Sequence, residues 1–365
     1  MMKKIGILAL FMLMTVVLLP ACSNAGTPDA QALAAMSLPE RADALIDTPN
    51  VRVVIGSTST GGDTYQVSNI VAQKLGEVLG KNVKVDAVGA ANGFDAISRI
   101  SDGSTIMIFH DMAYLGYLYE REGYTDIFSS YQVGPTLAIN PGNSFSAPKN
   151  SKFNTMADVV EAVGKGETVK VAIQPGGVSE IGYSAAKNAI KMQYPGMEEN
   201  LVAVHTGSQS DKNQLLFDGQ VDVIHSSIQA NEQFTQLPAE DQKAMKFLWL
   251  TARKETIKQA NESGFGSMNV GDMLVYVSPQ VSVPMNEEED FTFDKEFFML
   301  FHKDMNEELV KLYNDAAAEV FADDELVQQL KDSFFIPNYK DVTEAQTYLS
   351  DKVAAYDEII SALKE

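Results

Sequence analysis

The sequence predicts an α/β protein of two lobes that hinge as a clamshell. Three observations carry this. Strand, glycine-rich loop and helix follow one another in each half of the chain, and the chain changes halves at two places. About 315 residues follow the N-terminal segments, more than one core usually serves.

The organising stretch runs from Val51 to Leu79. Val51, Val53, Val54 and Ile55 form a β-branched run suited to an interior parallel strand, where both faces are covered and polar alternation is lost. The polar loop Gly56-Ser57-Thr58-Ser59-Thr60-Gly61-Gly62 follows. Apolar residues then recur at Val67, Ile70, Val71, Leu75, Val78 and Leu79, the stripe of a helix beginning near Asp63 or Thr64. The first amides of such a helix have no internal partner and carry its positive dipole end, so they can hold a carboxylate without any Arg or Lys. A plain βα turn is the alternative, with Asp63 as N-cap and Gln66 completing a capping box.

The arrangement recurs. The strand at Asn82–Val88 leads into Gly89-Ala90-Ala91-Asn92-Gly93 and a helix, and Thr105–Phe109 is a third buried strand. That order implies parallel pairing with right-handed crossovers, and ligands settle at the carboxyl ends of such strands. A strand over Val133–Asn140 reaches the Pro/Gly/Ser-rich stretch Pro141–Pro148, read as the crossing to the second lobe. There Thr168–Ile173 is a strand, Gln174-Pro175-Gly176-Gly177-Val178-Ser179 a second glycine cradle, and Leu201–Val204 a strand ending in His205-Thr206-Gly207-Ser208. Further strands fall near Val221–Ile224 and Phe247–Leu250, with the return crossing at Met273–Ser278. Residues from Phe293 to Glu365 read as helical throughout, with Phe297, Phe298, Phe301, Leu309, Leu312, Tyr313, Leu326, Leu330, Tyr348, Val353 and Leu363 as core. Lobe 1 is thus 50–136 with 276–365, and lobe 2 is 137–275.

The N-terminus reads as a secretory signal over 1–21: Lys3 and Lys4, an apolar run from Ile5 to Leu19, then Leu19-Pro20-Ala21-Cys22. Cys22 sits where a lipoprotein is cut and lipidated, which would tether the chain to a membrane from outside the cytoplasm. Residues 22–49 then read as a flexible tether. Because Cys22 is the sole cysteine, the folded part has no disulfide and no cysteine nucleophile. Net charge is −21, and −23 once the signal leaves, with 49 acidic residues facing 26 basic ones. A surface so negative excludes nucleic acid, and any anion selectivity must come from local groups.

The succession of Gly61-Gly62, Lys81–Val85, Gly89–Gly93, Asp102-Gly103, Gln174–Gly177, Gly207 and Phe217-Asp218-Gly219-Gln220-Val221-Asp222-Val223 resembles the solute receptors of tripartite tricarboxylate transporters, over Val51 to Glu365. That resemblance implies a type II-like periplasmic-binding-protein fold, a carboxylate held between strand-to-helix loops, and delivery to a membrane permease. Three positions depart from the family pattern and bear on the ligand. Gly56-Ser57 stands for Pro and an aromatic, Tyr65 for an acidic residue, and Val204-His205-Thr206-Gly207 for Pro-Tyr-x-Gly. The Gly-Ser-Thr-Ser-Thr-Gly-Gly run is also similar to receptors of TRAP transporters of the immunogenic-protein branch, the alternative partner.

On this reading the ligand meets Ser57, Thr58, Ser59, Thr60, Gly61, Gly62, Asp63, Thr64, Ala90, Ala91, Asn92 and Gly93 from one lobe. From the other it meets Gly176, Gly177, Val178, Ser179, His205, Gly207 and Ser208. His205 either donates to the ligand or is a satisfied loop histidine. No P-loop, Gly-x-Ser-x-Gly or His-Glu-x-x-His motif appears, no cofactor or metal is expected, and the chain is expected to act as a monomeric receptor rather than an enzyme. His110-Asp111, at the end of the third strand, is the nearest approach to a catalytic pair.

Overall fold

The computed structural model describes residues 29–285 and 289–364. The expected signal segment and the lipidation residue Cys22 lie outside the described residues.

Two mixed sheets build the two lobes. The first contains β1 (Asn50–Ile55), β2 (Asn82–Ala87), β3 (Thr105–His110) and β4 (Tyr131–Asn140). The second contains β5 (Asn143–Pro148), β6 (Val169–Ile173), β7 (Leu201–His205), β8 (Val223–Ser227) and β9 (Met245–Leu250). The chain then returns to the first sheet for β10 (Lys295–His302) and β11 (Ile336–Lys340). Strand order is β11-β4-β10-β3-β1-β2 in one sheet and β7-β6-β8-β5-β9 in the other. β1 pairs in parallel with β2 and β3, as β6 does with β7 and β8, the arrangement the strand–helix alternation demands. The architecture is a two-lobed periplasmic-binding-protein clamshell.

Four expectations change. Residues 29–49 are not a free tether: Ala30–Ala34 and Leu38–Leu45 are helices whose Leu33, Ala42 and Ile46 are buried, and Arg41 pairs with Asp315 at 2.7 Å. Residues 143–148 are not a connector but β5, antiparallel to β8 and β9. Their serines are dissolved in the interior by hydrogen bonds, Ser144 Oγ meeting Ser146 Oγ at 3.0 Å. The segment after Phe293 is not wholly helical, because Lys-Glu-Phe-Phe-Met-Leu-Phe-His is β10, antiparallel to both β3 and β4. Covered on both faces, that strand reads as one apolar run, and Phe297, Phe298 and Phe301 are core all the same. Lastly, the first sheet keeps the chain to Asn140, and the return crossing falls at Phe293–Asp294 rather than Met273–Ser278.

The two crossings are tied to each other. Asn143 and Thr251 exchange hydrogen bonds, Asn143 N donating to Thr251 Oγ1 at 2.9 Å and Thr251 N to Asn143 O at 2.8 Å. Phe293 N donates to Thr251 O at 2.7 Å. Asp294 accepts from Gly142 N at 3.3 Å, Arg253 Nε at 2.8 Å and Thr256 Oγ1 at 2.6 Å. Among the described residues no helix is long and apolar enough to cross a membrane.

Candidate functional site

The crossings fix what faces the gap between the lobes. Asn140 ends β4 and is the cross-strand neighbour of Lys295, while Asn143 starts β5 opposite Ser227. A cleft of about 500 Å³ opens between these pairs. From the first lobe come Gly61, Gly62, Asp63, Gln66, Asn140 and Lys295. From the second come Asn143, Gln174, Val178, Ser179, Gln209, Lys212, Ser227, Gln229 and Ala230. Several of these stand just past the carboxyl ends of the parallel strands β1, β6 and β8. A second hollow of comparable size, about 540 Å³, is a groove between the Asp63–Leu79 and Asp324–Asp332 helices, lined by charged and carboxamide side chains over Ile70 and Leu326, and it takes in none of the loops that follow the parallel strands.

Five of the expected residues line the cleft: Gly61, Gly62, Asp63, Val178 and Ser179. Ser57, Thr58, Ser59 and Thr60 precede them and brace the loop, Ser57 Oγ accepting from Ser59 N and Ser59 Oγ from Gly61 N. Gly62, not Asp63, is the N-cap, so the capping box does not form. Asp63 instead folds its carboxylate over the helix end, taking Thr64 N at 2.7 Å and meeting Lys295 Nζ at 2.5 Å. Burial pushes the Asp63 carboxyl up, but Lys295, His110 and the hydrogen bonds from Lys295 and Thr64 hold it below the ordinary range. The place foreseen for a ligand carboxylate therefore already holds the protein's own.

The other expected residues stand outside the lining. Gly89 N donates to Ser57 O, which puts Ala90, Ala91, Asn92 and Gly93 beside the first loop. Asn92 turns back to Val88 O, and Gly93 lets its helix lie on β3, since a Cβ there would come within 2.9 Å of Met107 Cε. Thr64 is buried. Gly176, at φ 66°, has its amide taken by Glu180, and Arg121 donates to Pro175 O beside it, so that half of the second cradle is closed. Gly177 caps its helix without facing the cleft. His205 ends β7 exposed, Gly207 follows it, and Ser208 caps the Gln209–Phe217 helix through Asp211 N.

His110 and Asp111 do not form a catalytic pair. Asp111 is fully buried and accepts from Tyr114 Oη, Lys352 Nζ and Glu296 N, the last two at 2.5 Å. His110 Nδ1 accepts Met112 N at 3.2 Å, and burial beside Lys295 lowers the ring to about 3. Neither lines the cleft. No cluster of three or more His, Cys, Asp or Glu able to hold a metal occurs among the described residues.

Two lysines carry the site's charge, and the sequence reading named neither. Lys295 is held by Asp63. Lys212, on the Gln209–Phe217 helix, is 5% exposed, and its Nζ donates to His225 O at 3.0 Å. Among the described residues it has no carboxylate partner, and burial, with Lys295 adding to it, lowers its ammonium to about 7. A buried cation without a counter-ion is unfavourable unless something else supplies one. The place of Lys212 one helical turn before Leu215 and Leu216 was the only sequence signal, and amid Asp211, Asn213 and Gln214 it reads equally as a solvated helix face.

No protein-family model matches this chain, and no curated protein matches its sequence. Solved structures share its fold. MatC from Rhodopseudomonas palustris with bound malate is 14% identical at a TM-score of 0.63, over 85% of this chain and 99% of that one. An R. palustris protein with adipate is 15% identical at 0.64, over 86% and 96%. A TctC solute binding protein from Polaromonas is 14% identical at 0.57, over 86% and 98%.

Proposed function

We propose that this chain is an extracytoplasmic solute receptor whose lobes close on a small organic anion, a carboxylate, and present it to a membrane permease of the tripartite tricarboxylate type. The observation that carries the proposal is Lys212: a cation 5% exposed, lining the interlobe cleft, without an acidic partner among the described residues. Binding an anion there supplies the missing counter-ion. The amides of Val178 and Ser179, at the start of their helix, would meet the ligand from the second lobe, and Gly62 would face it from the first. The likeness in fold to proteins bound to malate and adipate supports the ligand class. The sequence before Asp29 supports lipid anchoring at Cys22. Closure would shift a hinged equilibrium toward the form the permease recognises.

A thermal-shift screen with organic acids tests this. A ligand at a hundred times its dissociation constant adds about 2.7 kcal/mol of stability. A Cβ at Gly62 would meet nothing nearer than Ser59 Oγ at 3.9 Å, so Gly62→Trp is expected to fold, fill the cleft and abolish the shift. No shift with any acid would end the receptor reading.

A further inference from the structure

We propose that the cleft selects a singly charged, multiply hydroxylated organic acid, its carboxylate on Lys212 and its hydroxyls on the surrounding carboxamides. The inference rests on the receptor reading and names the ligand class within it.

Charge sets the first limit. The charged lining groups are Lys212, Lys295 and Asp63, and Asp63 already pairs with Lys295. One positive charge is left over. A single carboxylate neutralises it. A second carboxylate on the same ligand would find no further cation in the lining and would face Asp63, whose like charge opposes it.

The neutral lining sets the second limit. Asn140, 5% exposed, and the partly buried Gln174 line the cleft with side-chain amides that have no hydrogen-bond partner among the described residues, and the exposed Gln66 and Gln229 stand at its mouth. A carboxamide offers both donors and an acceptor. Carboxylate oxygens only accept, so they would leave the amide oxygens unsatisfied, whereas a hydroxyl both donates and accepts. A hydrocarbon body would cover Asn140 and Gln174 without pairing them, and a polar group left buried and unpaired is costly. Among the lining residues only Val178 and Ala230 carry wholly apolar side chains.

Four six-carbon acids separate the two limits. Gluconate is a hydroxylated monoanion, hexanoate a bare monoanion, galactarate a hydroxylated dianion and adipate a bare dianion. In calorimetric titrations of the mature protein at pH 7, gluconate is expected to bind at least tenfold more tightly than each of the other three. Lys212→Met is expected to weaken gluconate at least fiftyfold. Asn140→Leu is expected to weaken gluconate while leaving hexanoate unchanged or improved, with circular dichroism and a urea melt reporting that each variant is folded. Should adipate or galactarate bind as tightly as gluconate, charge selection is overturned and the receptor reading stands. Hexanoate equalling gluconate overturns the role of the carboxamides. An unchanged gluconate affinity in folded Lys212→Met or Lys212→Gln removes Lys212, and heat from none of the four acids overturns this inference, with the wider acid screen then deciding the receptor reading.

Discussion

Lys295 Nζ meets Asp63 Oδ2 at 2.5 Å, joining the start of β10 to the first turn of the Asp63–Leu79 helix. The pair withdraws one cation from the cleft and covers a helix end that would otherwise attract an anion. Asp63→Asn keeps an oxygen for Thr64 N and releases Lys295. Leaving the lysine without its partner costs about 1–3 kcal/mol of stability, to be read from a urea melt. The same change raises the cleft's positive charge, so adipate affinity is expected to rise about tenfold in calorimetry. A fall in adipate affinity would show that Asp63 positions the ligand instead of opposing it.

Lys212 makes binding depend on pH. Burial lowers its folded pKa to about 7, against about 10.4 in an unfolded chain. Around it stand Lys295, Asp63 beyond that, and His225, itself lowered to about 3 by burial. Without ligand, the penalty of the buried ammonium is present in full below about 7. It is relieved as pH rises toward 10.4, so this group adds stability with rising pH across that window. An anion holds the proton on Lys212 and reverses the trend. Binding at pH 7 should take up about half a proton, and at pH 9 about one, measurable by calorimetry in buffers of different ionisation enthalpy. Affinity then falls above pH 7 by up to about tenfold per unit. No proton uptake would mean that the anion does not reach Lys212.

Gly182 lies in the helix Val178–Gln193, and a Cβ there would overlap His225 Cε1. The ring has nowhere to go. It stacks on Phe145 at 4.2 Å and 14°, and its Nδ1 lies 2.8 Å from Ser179 O. In an exposed helix Gly→Ala stabilises by about 1 kcal/mol. Here the overlap dominates, and Gly182→Ala is expected to destabilise by about 2–3 kcal/mol in denaturant unfolding. Because Val178 and Ser179 open the same helix, ligand affinity should fall with it. A gain in stability would show that the imidazole can turn aside.

What was legible in the sequence was what short-range pattern determines. The β-branched run Val53–Ile55 suited an interior strand and glycine loops stood between strands and helices, so a two-lobed α/β fold could be read, but not where the chain crosses between the lobes. β10 was not legible because Phe297, Phe298 and Phe301 satisfy a helical spacing as well as a buried strand, and only pairing with β3 and β4 decides between them. β5 was hidden because Asn143, Ser144 and Ser146 look solvated until their hydrogen bonds are known. The site failed in the same way. Free amides at the helix starts were visible, but that Glu180 would take Gly176 N and Asp63 Thr64 N was not. Nor could the sequence place Lys212 and Lys295, 83 positions apart, on one cleft. Fold followed from local periodicity, and the charge of the site did not.

The crossings give the last test. Gly142 has φ 31°, and a Cβ there would overlap the backbone nitrogen of Ala252, which cannot turn away as a side chain could. Gly142 N also donates to Asp294 Oδ1, so the two strands between the lobes touch through a position that only glycine fits. Gly142→Ala must therefore part the crossings, at a cost of about 2–3 kcal/mol. Asn140 and Asn143 flank the glycine and line the cleft from opposite lobes, so parting them enlarges the gap the ligand has to bridge. Weaker binding should accompany faster amide exchange at Asn143 and Thr251, whose N–H groups are now bonded across the crossing. Asp294→Asn removes the charge that Arg253 and Thr256 share while leaving the backbone geometry in place. It should loosen the same amides with a smaller loss of affinity. If Gly142→Ala slows exchange there instead, the crossings are not the joint on which the lobes move.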